Sequence, residues 1–226
     1  MEKEGFQRAR QPHQKAQRRA IILQAAREML EDKDLAAVSL NRLAERVGLA
    51  KSNVVRYFET REAILMQILQ EDIEDWVNAQ VPRLQRMRTT TNRVDRLVEI
   101  LVTATVERPR LCMLGSVVAA ILERNVKVET ATAFKKTNRV HVGRLVSAMA
   151  DAVPELSASR HGELIKLQGA LVAGLWQHAR PSDTMIQVLE DPDLQGTHID
   201  FERALRRGTQ LIAAGLVGEV HSKRRG

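Results

Sequence analysis

Cysteine is almost absent: the chain has 226 residues and one cysteine, Cys112. A single thiol excludes an intrachain disulfide and any multi-cysteine metal cluster. Its neighbours Leu111, Met113 and Leu114 predict a buried, inert sulfur. Aromatics make up only 3% of the residues. Leu, Val, Ile and Ala must therefore build the core, which suits packed helices better than an aromatic-rich β-sandwich. Prolines number six, leaving room for long helices. No apolar run approaches the ~18 residues of a membrane span. The charged N-terminus has no apolar stretch behind it, so no signal peptide is expected. These readings predict a soluble, cytoplasmic chain without a membrane partner. HExxH, the phosphate-binding P-loop, a strand followed by GxGxxG, and GxSxG are all missing. The six histidines do not fall at metal-ligand spacing. Neither an enzyme, a cofactor nor a metal is expected.

What is present is positive charge and helical periodicity. The formal net charge is +7, and residues 1–19 carry six basic side chains against two acidic ones. Such a balance favours an anionic partner, nucleic acid above all. Residues 1–14, with Gly5 and Pro12, read as a flexible basic arm. Ile22, Ala25, Ala26, Met29 and Leu30 then recur at helical spacing and predict a helix over 15–31, ended by Asp32, Lys33 and Asp34. Leu40, Leu43, Ala44 and Val47 line one face of a short second helix with Ser39 as its N-cap. Gly48 suits the left-handed residue that ends it. A third segment, 50–58, has Val54 and Phe58 on one face. Thr60 can cap a longer helix carrying Ile64, Leu65, Ile68, Leu69 and Trp76.

Pro82 and the polar run 86–92 read as a boundary loop. Helices follow over Val94–Leu101, from Pro109 through Leu122, and over 128–152, the last closed by Pro154. Residues 160–180 are apolar on two faces, and such a helix needs cover on two sides. A loop with Pro181, Pro192 and Gly196 leads to a final helix near 199–217, and 220–226 reads as a basic tail. With no convincing strand, the fold class is all-α. The domains are then 15–60, a three-helix unit, and 61–219, a larger helical unit.

The stretch 39–58 carries the function: two short helices joined by a turn containing Gly, the pattern of a helix-turn-helix. The B-DNA major groove admits one α-helix. The second helix here offers Lys51, Ser52, Asn53, Arg56 and Tyr57 beside its polar face. Moreover, Leu43-Ala44-Glu45-Arg46-Val47-Gly48 with Lys51-Ser52-Asn53 and Tyr57-Phe58 resembles the N-terminal signature of TetR-family transcriptional regulators. Ile21-Ile22-Leu23-Gln24-Ala25-Ala26 and Arg61-Glu62-Ala63-Ile64-Leu65 extend the match over about 16–70.

The resemblance implies DNA-facing roles for Lys51, Ser52, Asn53, Val55, Arg56 and Tyr57. It implies phosphate contacts for Ser39, Tyr57 and Arg61, and a core role for Val54 and Phe58. Ala50 stands where the family usually caps with Ser or Thr, at the edge of the DNA-facing set. Val55 replaces a common Tyr, which exchanges a donor for an apolar contact of the kind a thymine methyl accepts. The resemblance further implies a homodimer on a pseudo-palindromic operator, with Gly169, Val172, Ala173 and Trp176 as interface candidates. It also implies a small-molecule effector of unknown identity near Met113, Val117, Phe134, Asn138, His141 and Trp176. The expected function is a repressor released from its operator by that effector. The alternative is a constitutive or architectural DNA-binding protein without one.

Overall fold

The computed structural model describes residues 4–31, 35–89, 91–194 and 196–223. All regular elements among them are helical: α1 (Glu4–Met29), α2 (Leu40–Arg46), α3 (Lys51–Tyr57), α4 (Arg61–Gln85), α5 (Arg93–Val106), α6 (Pro109–Val117), α7 (Val128–Ala152), α8 (Ala158–His178), α9 (Asp183–Val188) and α10 (Phe201–Lys223), with short 3-10 or π turns between some of them. They form two compact units. One comprises residues up to Leu69 together with Val118–Phe134, and the other comprises Gln70–Val117 with Lys135 onward.

In the first unit α1 packs on α2 and α3 through the periodic stripe of Ile22, Ala25, Ala26 and Leu30, all buried. Leu43 and Ala44 of α2 and Val54 of α3 meet that stripe and are likewise buried. Ser39 caps α2 as expected, its hydroxyl oxygen accepting from the Arg42 amide at 3.3 Å. At the other end Gly48 takes φ +66. There the Leu49 amide donates to Ala44 O at 2.9 Å and the Gly48 amide to Glu45 O at 3.2 Å. This paired pattern satisfies carbonyls that the helix end would orphan, and it needs a left-handed residue at the turn. Thr60 then caps α4 by accepting from the Ala63 amide at 3.1 Å.

The second unit is built on a core of α5, α7, α8 and α10 side chains, among them Leu97, Leu101, Leu145, Met149, Leu164 and Leu205. Helix α8 packs on α6 and α10, and α10 also packs on α5. Helices α8 and α10 approach closely at Gly208, where a Cβ would stand 2.7 Å from Leu171 Cδ1. Some buried polar groups of this core are tied down, while Gln80 Oε1, His161 Nδ1 and Gln168 Nε2 are buried without a partner. Trp76 Nε1 donates to Thr105 Oγ1 at 3.1 Å, and Arg110 grips Asp72 with two bonds of 2.9 and 2.6 Å. Cys112 is fully buried, with its thiol pushed up to about 12 by desolvation.

Several boundaries differ from the sequence reading. Where 1–14 read as an arm, α1 is already helical from Glu4 and passes through Gly5 and Pro12. The terminating residues Asp32, Lys33 and Asp34 lie outside the described residues. Pro82 does not end α4 but sits inside it, and the next element follows a short turn at Arg86–Thr89. The helix expected from Pro109 through Leu122 stops at Val117 and opens into a wide π-type turn, Val118–Leu122. A short helix, α9, interrupts the long loop, and α10 continues to Lys223, into the expected tail.

Two outcomes follow for stability. Gly48→Val meets no atom within 4 Å of its new Cβ, so its cost is conformational, ~1–3 kcal/mol for a β-branched residue held at positive φ. Gly48→Asn should lose clearly less, and urea titration of both variants checks the order. His161 is wholly buried, with Nε2 3.0 Å from Val153 O, and desolvation holds its pKa below the usual histidine range. The unfolded chain therefore binds this proton more readily than the folded one. The contribution is intact above the ordinary histidine range, near pH 6.5, and is lost as pH falls below it. A His161→Gln variant should be less stable at pH 7.5 and should lose less on acidification to pH 5.5 than the parent.

Candidate nucleic-acid interface

The recognition segment is held by its buried side. Val54 is fully buried and Phe58 is 3% exposed. Burying such a pair contributes ~1.5–3 kcal/mol per side chain, whereas an exposed ion pair contributes ~0–1. Packing therefore fixes the roll of α3, and the 3.6-residue repeat places the other residues. Lys51, Ser52, Val55 and Arg56 are exposed, while Asn53 and Tyr57 are half-buried. Ala50 makes no side-chain cap; its carbonyl accepts from the Asn53 amide at 2.9 Å and starts the helix by backbone alone.

Arg19 was not singled out in the sequence, yet it fastens the end of α3. Its guanidinium lies 4.1 Å over the Phe58 ring, and it donates to Tyr57 O at 2.5 Å and to Gln67 Oε1 at 2.6 Å. Burial draws its pKa down from the usual arginine value, and it remains a cation. The signal was its place one turn before Ile22 and Leu23, at the start of the buried stripe. Arg46 ties α2 to α1 through Glu28 at 2.8 Å. Arg42, also not foreseen, is exposed in the first turn of α2, with Nη1 3.5 Å from Ala37 O. In the same unit Lys127 pairs with Glu59 at 2.7 Å.

Ser39 keeps its hydroxyl proton available while its oxygen serves the cap. Arg61 donates from Nη2 to Leu35 O at 2.5 Å, which ties it to the turn before α2 and leaves other guanidinium protons unused. The face that remains is a row of cations and small polar groups, Lys51, Ser52 and Arg56, beside Ser39 and the apolar Val55. Its chemistry suits a polyanion with readable edges: Arg and Lys for phosphates or guanine, Ser for phosphates, and Val for methyl groups.

The remaining candidates are more scattered. Phe134 is buried in the first unit. In the second unit Met113 and His141 are buried, and Val117 and Asn138 are half-buried. Asn138 Oδ1 and His141 Nδ1 are buried without hydrogen-bond partners, while His141 Nε2 stands 4.0 Å from Glu74. Trp176 is buried inside the chain, edge-on to Phe201 at 5.1 Å and covered by Arg180 at 3.7 Å. That leaves it little surface for a partner. On α8 Gly169, Ala170 and Gly174 are exposed and Val172 and Ala173 half-buried. Leu167 and, on α10, Leu211 stand 42% and 54% exposed. Both apolar faces of α8 are thus largely covered within the chain, Leu164, Leu171 and Leu175 on one and Ile165, Val172 and Trp176 on the other, and Leu167 and the small Gly169, Ala170 and Gly174 stay exposed.

Comparison with known proteins agrees with this arrangement. Residues 22–68 match the family model described as bacterial regulatory proteins, tetR family. Residues 70–219 match that described as the tetracyclin repressor-like C-terminal domain. Nucleoid occlusion factor SlmA from two strains of Aliivibrio fischeri is 33% identical over 99 residues, 43% of this chain and 50% of that protein. The chain thus matches about half the length of these curated relatives. Among solved structures, the fold is similar to the fatty acid degradation regulator FadR from Bacillus halodurans, with TM-score 0.54 and 16% identity over 88% of this chain and 95% of that one. It is also similar to a TetR-family regulator from Mesorhizobium loti, with TM-score 0.53 and 10% identity over 90% and 96%. No described helix is long and apolar enough to cross a membrane. From the helix-turn-helix of its first unit to the helical second unit that the C-terminal model spans, the chain belongs to the TetR family of bacterial transcriptional regulators.

Proposed function

We propose that this regulator binds a pseudo-palindromic operator as a homodimer, represses from it, and is released by a small organic effector. The observation that carries the DNA reading is the exposed face of α3. Lys51, Ser52 and Arg56 have no partners among the described residues, on a helix whose opposite side is pinned by Val54 and Phe58. The exposed Leu167 and Gly169 and the half-buried Ala173 of α8, with the exposed Leu211 of α10, support self-association. Small residues let two copies approach closely, and the apolar ones need cover. Asn138 Oδ1 and His141 Nδ1 support an effector near α7. A buried polar atom without a partner costs ~1–3 kcal/mol, and a ligand group that bonds to it recovers part of that cost. A ligand releases DNA only if it favours the DNA-incompetent arrangement; such coupling is typically ~1–3 kcal/mol. Helix α4 is the candidate route, since it starts at the Thr60 cap next to α3 and continues unbroken to Gln85.

The similarity to the nucleoid occlusion factors favours a second reading, a chromosome-associated DNA-binding protein without an effector. The two differ in specificity. An operator-bound repressor prefers its site over random DNA by ~10³–10⁷, whereas an architectural protein does not.

Lys51→Ala and Arg56→Ala should weaken operator binding while leaving thermal unfolding unchanged. A lost phosphate contact lowers the salt slope by about one unit, and a lost base contact costs ~1–3 kcal/mol at one operator position. Wild-type affinity for both variants across a salt series would remove α3 from the groove. Ala173→Glu sets a charge at the half-buried Ala173 of α8 and should give monomers that bind the operator poorly. Multi-angle light scattering showing an intact dimer would exclude that face.

A further inference from the structure

We propose a second ligand site, for a small amphiphilic anion, in the cleft between the end of α4 and α5. The cleft has a volume of about 520 Å³ and is lined by Arg83, Arg86, Met87, Arg96, Glu99, Ile100 and Thr103. That volume lies within the ~300–1,000 Å³ usual for small-molecule sites. None of the six effector candidates borders it, so the site stands independently of the reading above.

The charge balance inside the cleft is positive. Three guanidinium groups, from the end of α4, the turn after it and α5, meet there with one carboxylate. Glu99 is already occupied at both oxygens: Arg206 of α10 ion-pairs with Oε2, and Thr103 Oγ1 donates to Oε1 at 3.0 Å. Its charge is partly offset from outside the cleft by Arg206, which also pairs with Glu202 at 2.8 Å. Arg83 reaches Glu107 only at 3.9 Å, and Arg108 lies at the same 3.9 Å from that oxygen. Arg86 spends its Nε on Pro82 O at 3.1 Å and keeps its terminal amino groups. Arg96 is exposed, without a hydrogen-bond or ion-pair partner among the described residues.

The floor is of the opposite character. Met87 and Ile100 line the cleft with only their edges, being 3% and 5% exposed, beside the cationic groups. Guanidinium groups pair with phosphate or carboxylate through two parallel hydrogen bonds. A ligand with such a head and a short hydrocarbon portion would satisfy rim and floor together. An inorganic anion would leave the floor unused, and a neutral alcohol would leave the rim unused.

The test uses the full chain with octyl phosphate and octanoate as probes, measured by titration calorimetry. At least one of them should bind, and the tighter of the two identifies the head group. Octanol and inorganic phosphate should each bind about tenfold more weakly or worse, because each lacks one half of the match. Arg96→Ala should weaken the anion by about tenfold or more, with Arg96→Lys between it and wild type. His141→Ala should leave it unchanged. The proposal is overturned by any of three results. The first is no binding of either anion at millimolar concentration. The second is wild-type binding by an Arg86→Ala, Arg96→Ala double variant that folds normally. The third is octanol binding as tightly as the anions.

Discussion

The seating of α3 is the constraint on which the DNA-binding face depends. Two apolar side chains, Val54 and Phe58, are driven into the first unit, and Arg19 closes over Phe58 while holding the carbonyl of Tyr57. A seven-residue helix is too short to be stable alone in water. Tertiary packing supplies its stability, and that packing also decides which residues face outward. Lys51, Ser52, Val55 and Arg56 form the presented face because they are the positions left over. The left-handed turn at Gly48 sets where α3 starts, and the Ser39 and Thr60 caps fix the helices on either side of it.

The second unit follows a different logic. Its core is aliphatic, and some of its buried polar groups are paired across helices, as in Trp76 with Thr105 and Asp72 with Arg110. Asn138 Oδ1 and His141 Nδ1 are among the buried atoms left unpartnered, with Gln80 Oε1, His161 Nδ1 and Gln168 Nε2, and Leu167 of α8 and Leu211 of α10 stay exposed. The unpartnered atoms are an energetic deficit that a ligand can repair, the exposed leucines a deficit that a second copy can repair. Both make sense in a regulator that couples an assembly state to a bound molecule, which is why the proposed function joins them.

The sequence was legible where local rules decide. Ser39, Gly48, Val54, Phe58 and Thr60 each act within a few residues of themselves, through caps, a left-handed turn and helical periodicity. They are found where the pattern puts them. The all-helical class, too, was readable from the periodic stripes and scarce prolines. Misreadings came where distant packing overrides local preference. Pro82 disrupts a helix in isolation at a cost of ~3 kcal/mol, yet α4 runs through it with Val81 and Leu84 packed on the core on either side. Gly5 and Pro12 suggested an arm, but the intervening Arg, Gln and Ala residues are good helix formers that extend a helix already nucleated by the buried stripe. The bond from Arg61 to Leu35 O, 26 residues away, could not be seen in any local pattern. The π-type turn at Val118 has no local signal that we recognise.

The central claim, that α3 presented by a dimer reads DNA, is tested most directly by selecting bound fragments from a random duplex pool with the full chain. The account predicts enrichment of a two-fold inverted motif whose half-sites lie one helical turn, ~34 Å, or a multiple of it apart. Recovery of fragments without a shared motif, or of a single half-site with no symmetric partner, would contradict it.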